Sequence, residues 1–243
     1  MNDALGYTPT AEELAAYIYA IMAGQSYTRL FWNELETPGP RVPITKNPKL
    51  FKNVVRFGQR LIWLHTYAER FQADGRSDEV PQGSAKIIAG ISNDPAIYPV
   101  DFAYDSEKKE IRVGDGRIGP VSDEVWEFEV SGLKVVQSWL AYRMKKRAGK
   151  KSSLLDDIRP ERWTPGMTDE LLEMLWVLEA TLAMEPELSK LLEKIVAGDC
   201  FKAVELPTPT EAERSAPSVK GAVGSLLELM EDGESEEEDD DEE

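Results

Sequence analysis

The chain has 243 residues, 42% of them hydrophobic and six of them tryptophan, which is enough apolar material for one or two domains with a full core. Its net charge is −17, it has no apolar run near the roughly 20 residues that span a bilayer, and its first residues lack the blocks of a signal peptide. The single cysteine, Cys200, excludes an internal disulfide and fits a reducing cytoplasm.

Thr8-Pro9-Thr10 before Glu12 and Glu13 predicts a helix start, and Leu14, Tyr17, Ile18 and Ile21 continue it at helical spacing. Gly24 interrupts, and a second short helix is expected from Tyr27 to Leu35. The prolines at 38, 40 and 43 forbid regular helix there. Asn47-Pro48 then supplies a cap and a first-turn proline. The helix that follows is read through Leu50, Val54, Phe57, Leu61, Leu64, Ala68 and Phe71. Lys52, Arg56 and Arg60 fall on another of its faces.

Residues 73–99 show no clear element. Strands are expected at Tyr98–Tyr104, Glu110–Val113, Arg117–Val121 and Glu124–Val130, separated by the turn signals Asp105-Ser106-Glu107 and Gly114-Asp115-Gly116. In the last of these, Val125, Phe128 and Val130 alternate along one side. Ser131-Gly132 breaks the pattern, and a helix is expected over Leu133–Lys146. A further helix begins at Thr168 with Leu171, Leu175, Leu178 and Leu182 on one face. Pro186 restarts the chain into a last helix ending near Gly198. The expected fold is α+β: a helical N-terminal lobe over residues 1–72, a small antiparallel sheet with C-terminal helices over 73–200, and a disordered acidic tail over 201–243.

The net charge hides a segregation. Leu226 to Glu243 holds 12 acidic residues and no basic one, and without them 28 basic residues face 33 acidic ones. Thr37 to Ala68 holds Arg41, Lys46, Lys49, Lys52, Arg56 and Arg60 with no acid. Val130 to Leu155 holds Lys134, Arg143, Lys145, Lys146, Arg147, Lys150 and Lys151, again with no acid. A phosphate backbone feels such local tracts, because salt screens charges beyond about 8–10 Å. All thirteen are candidate DNA-binding residues, expected to converge into one cradle. The acidic run reads either as a solubilising extension or as a competitor for these cations.

Other features favour ordinary structural roles. His65, the only histidine, lies among Leu64 and Tyr67 and is read as a packed side chain rather than a catalyst or zinc ligand. Cys200 has no motif around it. Asp156 and Asp157 fit a cap or loop better than a metal site. Trp126, Trp139, Trp163 and Trp176 stand at core positions. No Walker-type phosphate loop occurs. Asp94-Pro95-Ala96-Ile97 lacks the second proline of an amino-methyltransferase motif. No catalytic residue, cofactor or metal is expected, and the chain is read as a non-enzyme.

From Leu14 to Gly198 the sequence resembles the C-terminal target-recognition (specificity) domain of type ISP restriction-modification enzymes. The resemblance rests on Tyr17-Ile18-Tyr19-Ala20-Ile21, Tyr27-Thr28-Arg29, Pro40-Arg41-Val42-Pro43-Ile44 and Gly58-Gln59-Arg60-Leu61 with Leu64-His65. It continues in Val125-Trp126-Glu127-Phe128 through Gly132 to Trp139-Leu140 and Arg143, then Ser153-Leu154-Leu155-Asp156-Asp157-Ile158 and Trp163-Thr164-Pro165. One departure is Ala23, where the family pattern implies a histidine. Those enzymes join a nuclease, a translocase, an adenine methyltransferase and this reader in one polypeptide. The resemblance implies sequence-specific recognition of double-stranded DNA beside a separate methyltransferase or nuclease partner. The alternative is a non-catalytic protein that binds or inhibits a restriction-modification enzyme, and neither reading involves a membrane.

Overall fold

The computed structural model describes residues 2–37, 39, 41–71, 79–145, 161–206 and 208–214. It shows the mixed α+β class that the sequence predicts. The chain divides into two units, Met1–Phe201 and Lys202–Glu243. In the second, a 3-10 turn at Ala203–Glu205 and the short helix α8, Glu211–Arg214, are described. The acidic run lies outside the described residues.

In the first unit, α1 (Asn2–Leu5) precedes α2 (Ala11–Ala23) and α3 (Gln25–Leu30). Thr10 starts α2 by a reciprocal cap: its hydroxyl accepts the Glu13 amide at 3.1 Å, and the Glu13 carboxylate accepts the Thr10 amide at 3.0 Å. The second expected helix is thus α3 followed by a 3-10 turn at Glu34–Glu36. Helix α4 (Pro48–His65) begins where Asn47 Oδ1 accepts the amides of Lys49 and Leu50. It stops six residues short of the expected Phe71. Tyr67, Ala68 and Phe71 all have positive φ, and the chain folds back there to bury Ala68.

Four short strands form an antiparallel sheet in the order β1-β4-β3-β2: β1 Lys86–Ala89, β2 Phe102–Asp105, β3 Glu110–Val113 and β4 Gly116–Gly119. Edge strand β1 falls where the sequence shows no clear element, because three of its four residues are exposed. The expected strand Glu124–Val130 begins instead in helix, α5 (Asp123–Trp126), capped by the Ser122 hydroxyl and carrying Asp123 and Glu124 in its first turn. Only β5 (Glu129–Val130) remains of that strand. It pairs with β6 (Leu133–Lys134) across Ser131 and Gly132, both at positive φ. A two-residue turn with two positive φ angles is what a tight hairpin requires. Helix α6 is therefore shorter than expected, Val135–Arg143.

The largest correction is at the C-terminal side. One 32-residue helix, α7 (Pro165–Val196), replaces the expected pair, with Thr164 rather than Thr168 as its cap. It continues through Pro186, whose missing N–H removes one backbone bond. Burial of Leu188, Leu191, Leu192 and Ile195 beyond that point holds the helix together.

Helix α7 serves three apolar clusters in succession. Its first half, at Leu171, Leu172, Met174, Leu175 and Leu178, packs with Ile111, Val113 and Ile118 of the sheet and with α6. Val177 meets Trp63, Leu64, Ala68 and Val80. Its last turns pack with Tyr17, Ile21, Phe51, Val54 and Leu61 of α2 and α4. The tryptophans are packed as expected: Trp163 donates to the buried Thr168 hydroxyl at 2.9 Å, and Trp176 donates to the Ala85 carbonyl at 2.9 Å. Among the described residues, no helix is long and apolar enough to cross a membrane.

Candidate nucleic-acid interface

The face of α4 that meets α2 carries Phe51, Val54, Val55, Gly58 and Leu61. At about 100° per residue, Lys49, Lys52, Arg56 and Arg60 fall on the opposite side. Lys49, Lys52 and Arg56 line an open depression of about 850 Å³ with Asn47, Leu50, Asn53 and Lys194 of α7. Among the described residues, no carboxylate contributes to that lining. Lys52 sits 4.5 Å from the Tyr7 ring centre, and Arg56 donates to Asn53 Oδ1 at 2.6 Å. Lys49, Lys52, Arg56 and Lys194 form no salt bridge among the described residues, so their charge is available to an anion. Arg60 lies farther along, with its guanidinium 4.2 Å from the Trp63 ring centre.

Arg41 and Lys46 flank a segment pinned to the helices by two phenols. Tyr27 donates to the Arg41 carbonyl at 2.8 Å, while Tyr17 donates to the Pro43 carbonyl and accepts the Thr45 amide. Thr45 also bridges Cys200, whose thiol donates to the Ile195 carbonyl and is pushed up in pKa first by burial. Lys46 pairs with Asp199 at 3.5 Å and lies over Phe201.

The second tract is differently disposed. Lys134 is held between Glu127 and Glu129, which raise its pKa, the Glu127 hydrogen bond most. Arg143 pairs with Glu170 at 3.2 Å and stacks on Trp139. Lys145 is exposed, and its amide donates to the Pro99 carbonyl at 2.9 Å. Lys146, Arg147, Lys150 and Lys151 lie outside the described residues, as do Asp156 and Asp157.

Helices α4 and α7 run antiparallel: Lys194 lies near Lys49 and Arg56, while His65 reaches back to Thr181. Arg143 meets α7 at Glu170, 24 residues before Lys194 and thus about 36 Å away at 1.5 Å per residue. Among the described cations, the Lys49, Lys52 and Arg56 group and Arg143 therefore lie toward opposite ends of α7 rather than in one cradle. Lys194 escapes sequence reasoning because it is far from the first tract in the chain and sits in a glutamate-rich helix.

His65 is packed, as its surroundings predict. Thr181 donates its hydroxyl to the Val177 carbonyl at 2.7 Å, so it accepts from His65 Nε2–H at 2.9 Å. Nδ1 then accepts from the Tyr19 hydroxyl at 2.7 Å. Burial lowers the imidazole pKa. The unfolded chain thus binds the proton more readily, and stability falls as pH drops from the ordinary value of about 6.5 through the lowered native one. Thermal melts should show this loss in the wild type but not in His65→Gln, and NMR titration of the only imidazole should give a midpoint below about 6.5. Equal pH profiles for the two proteins would contradict it. Among the described residues, no group of three His, Cys, Asp or Glu side chains is placed to hold a metal.

Comparison with known proteins bears on this arrangement. The fold is similar to that in the cryo-EM structure of the DrdV–DNA complex, with a TM-score of 0.54 and 14% identity over 82% of this chain and 19% of that one. A nuclease-deletion mutant of the Type ISP restriction-modification enzyme LlaGI, in complex with a DNA substrate mimic, gives 0.49 and 16% over 74% of this chain and 16% of that one. The ATP-dependent Type ISP enzyme LlaBIII, bound to DNA, gives 0.46 and 13% over 80% and 12%. The chain thus spans less than a fifth of each of these three. No curated protein matches it. Residues 1–174 match the family model of the Type ISP C-terminal specificity domain, and the chain belongs to that family.

Proposed function

We propose that this chain is a target-recognition module that binds double-stranded DNA sequence-specifically, while a separate methyltransferase or nuclease makes and breaks bonds. One observation carries the reading: the depression of Lys49, Lys52, Arg56 and Lys194, with two asparagines, on the outward face of α4, in which no carboxylate takes part among the described residues. Such a surface suits a phosphate backbone, which sets affinity and register rather than sequence. Arg41, Lys46 and Arg60 extend it, while Arg143, with Lys145 close by in sequence, lies apart toward the start of α7. Lys134 is the weakest member of the proposed set, since two glutamates already hold it. Membership of the specificity-domain family supports the same reading, as does a shared fold with a chain solved in a DNA complex.

The test is selection from random-sequence duplex, followed by sequencing of the retained DNA. An enriched motif is the expected result. Failure to retain duplex even at about 50 mM salt, where electrostatic contacts are strongest, would overturn the proposal. Capture of a methyltransferase in place of DNA would instead favour the non-catalytic interaction protein.

A further inference from the structure

The α4 surface carries cations that suit phosphates, but sequence is read from base edges, which present donors and acceptors in fixed arrays. A reader therefore needs both kinds of group, held still before DNA arrives. The end of α6, together with the turn after α4, supplies that combination.

Arg143 is fixed on three sides. Its guanidinium carbon lies 3.6 Å from the Trp139 ring centre. It donates to the Trp139 carbonyl at 3.3 Å and to Glu170 Oε2 at 3.2 Å. Of the five N–H donors of a guanidinium, these bonds use two. The side chain has lost its rotamer freedom while keeping donors to spend.

Tyr67 stands two residues past the end of α4 with φ of +49°, and Ala68 follows at +67°. Their amides bond back to the Leu64 and Trp63 carbonyls and close the helix. A helix end of this shape ordinarily takes glycine or asparagine, and a bulky residue there is strained. The strain gains no core, since Tyr67 is 47% exposed, and its hydroxyl has no hydrogen-bond partner among the described residues. Ala68, the next residue, packs with Val177 of α7, about two turns beyond the Glu170 that holds Arg143, and the phenol pKa is raised first by partial burial and then by Glu173 and Glu170. An exposed aromatic kept where glycine would fit more easily points to work done by its side chain.

We propose that Tyr67 and Arg143 read base edges of the bound duplex, Arg143 addressing guanine, with Glu170 acting as a positioning residue for the guanidinium. The proposal rests on the DNA-recognition reading above and assigns the specificity that the α4 surface lacks.

Selection from random duplex, run on the full chain and on Tyr67→Phe, Tyr67→Gly and Arg143→Lys, tests it. Phenylalanine removes only the hydroxyl, and lysine keeps the charge but not the fork. Each variant should lose preference at one base pair of the motif, with the ratio of target to random-duplex affinity falling about 10- to 100-fold. Tyr67→Gly should also melt higher than the wild type, because it relieves the backbone. An intact motif in all three variants would overturn the proposal, and so would an equal loss on target and random DNA. A wild type that selects no motif fails the underlying DNA reading, an outcome visible before any variant is compared.

Discussion

The triple variant Lys49→Ala, Lys52→Ala, Arg56→Ala loses about 10²-fold in duplex affinity near 0.15 M salt, if these three side chains each neutralise one phosphate. The number follows from counterion release, in which each contact contributes about 0.9 to the slope of log affinity against log salt concentration. Removing three contacts flattens that slope by about 2.7 and discards the matching factor in affinity. The loss is the same for target and random sequences, because ammonium and guanidinium groups at phosphates carry no base information. The fold should survive: Lys49, Lys52 and Arg56 are exposed, and the contact of Lys52 with the Tyr7 ring is worth about 0.5–1 kcal/mol. Titrations from about 50 to 200 mM salt read the slope directly. An unchanged slope would place the DNA elsewhere on the protein.

Gly58→Ala is expected to have the largest effect on stability. In an open helix the substitution would help by about 0.8–1 kcal/mol, since alanine is the better helix former. Here the Cβ would fall on the carbonyl oxygen of Ala16 in α2. That neighbour is backbone and cannot rotate away, so α2 and α4 must separate over a cluster that includes Tyr17, Phe51, Val54 and Leu61. Overpacking of a well-filled core costs about 1–3 kcal/mol, and a clash with backbone belongs at or above the upper end. For a domain of this size about 3 kcal/mol lowers the melting temperature by roughly 6–12 °C. Gly90→Ala is the control, because a Cβ at Gly90 meets nothing within 4 Å. A melting temperature unchanged by Gly58→Ala would mean that α2 and α4 do not touch as described.

Much of the helical lobe was legible because its signals are local. Thr10 with Glu13, Asn47 with Pro48, and the apolar period of α4 each specify structure within a few residues. The errors share a physical cause, which is tertiary context overriding a local pattern. Ala68 and Phe71 prolong the apolar period of α4, yet the chain has already turned back and buries Ala68 from another direction. The alternation at Val125, Phe128 and Val130 imitates a strand and masks the ordinary helix start at Ser122 with Asp123 and Glu124. Strand β1 shows no core-facing period because it lies at the sheet edge with Ile87 and Ile88 both exposed. Pro186 predicts a break, but one lost backbone bond is outweighed by four buried aliphatic residues after it.

The candidate site divides in the same way. The basic stripe of α4 follows from a spacing of four residues and needs no fold to be seen. Lys194 joins it only because α7 returns antiparallel to α4, and nothing near position 194 announces that. Tyr67 does not stand out in the sequence, because the apolar period places it inside a regular helix, where its φ would be ordinary. Only the early end of α4 exposes it as a residue at positive φ.

Since a single helix joins the sheet side of this unit to its helical side, the span between them is a ruler graduated in whole turns. Adding one residue to α7 would lengthen it by only about 1.5 Å but swing everything beyond by about 100°, turning Leu188 and Ile195 away from the partners they need. Insertions of about seven residues, two turns, come near to restoring the facing, and three or four do so only roughly. The reach of the protein is thus hard to adjust by small steps, and variation in what it grips is left to side chains at the two extremities.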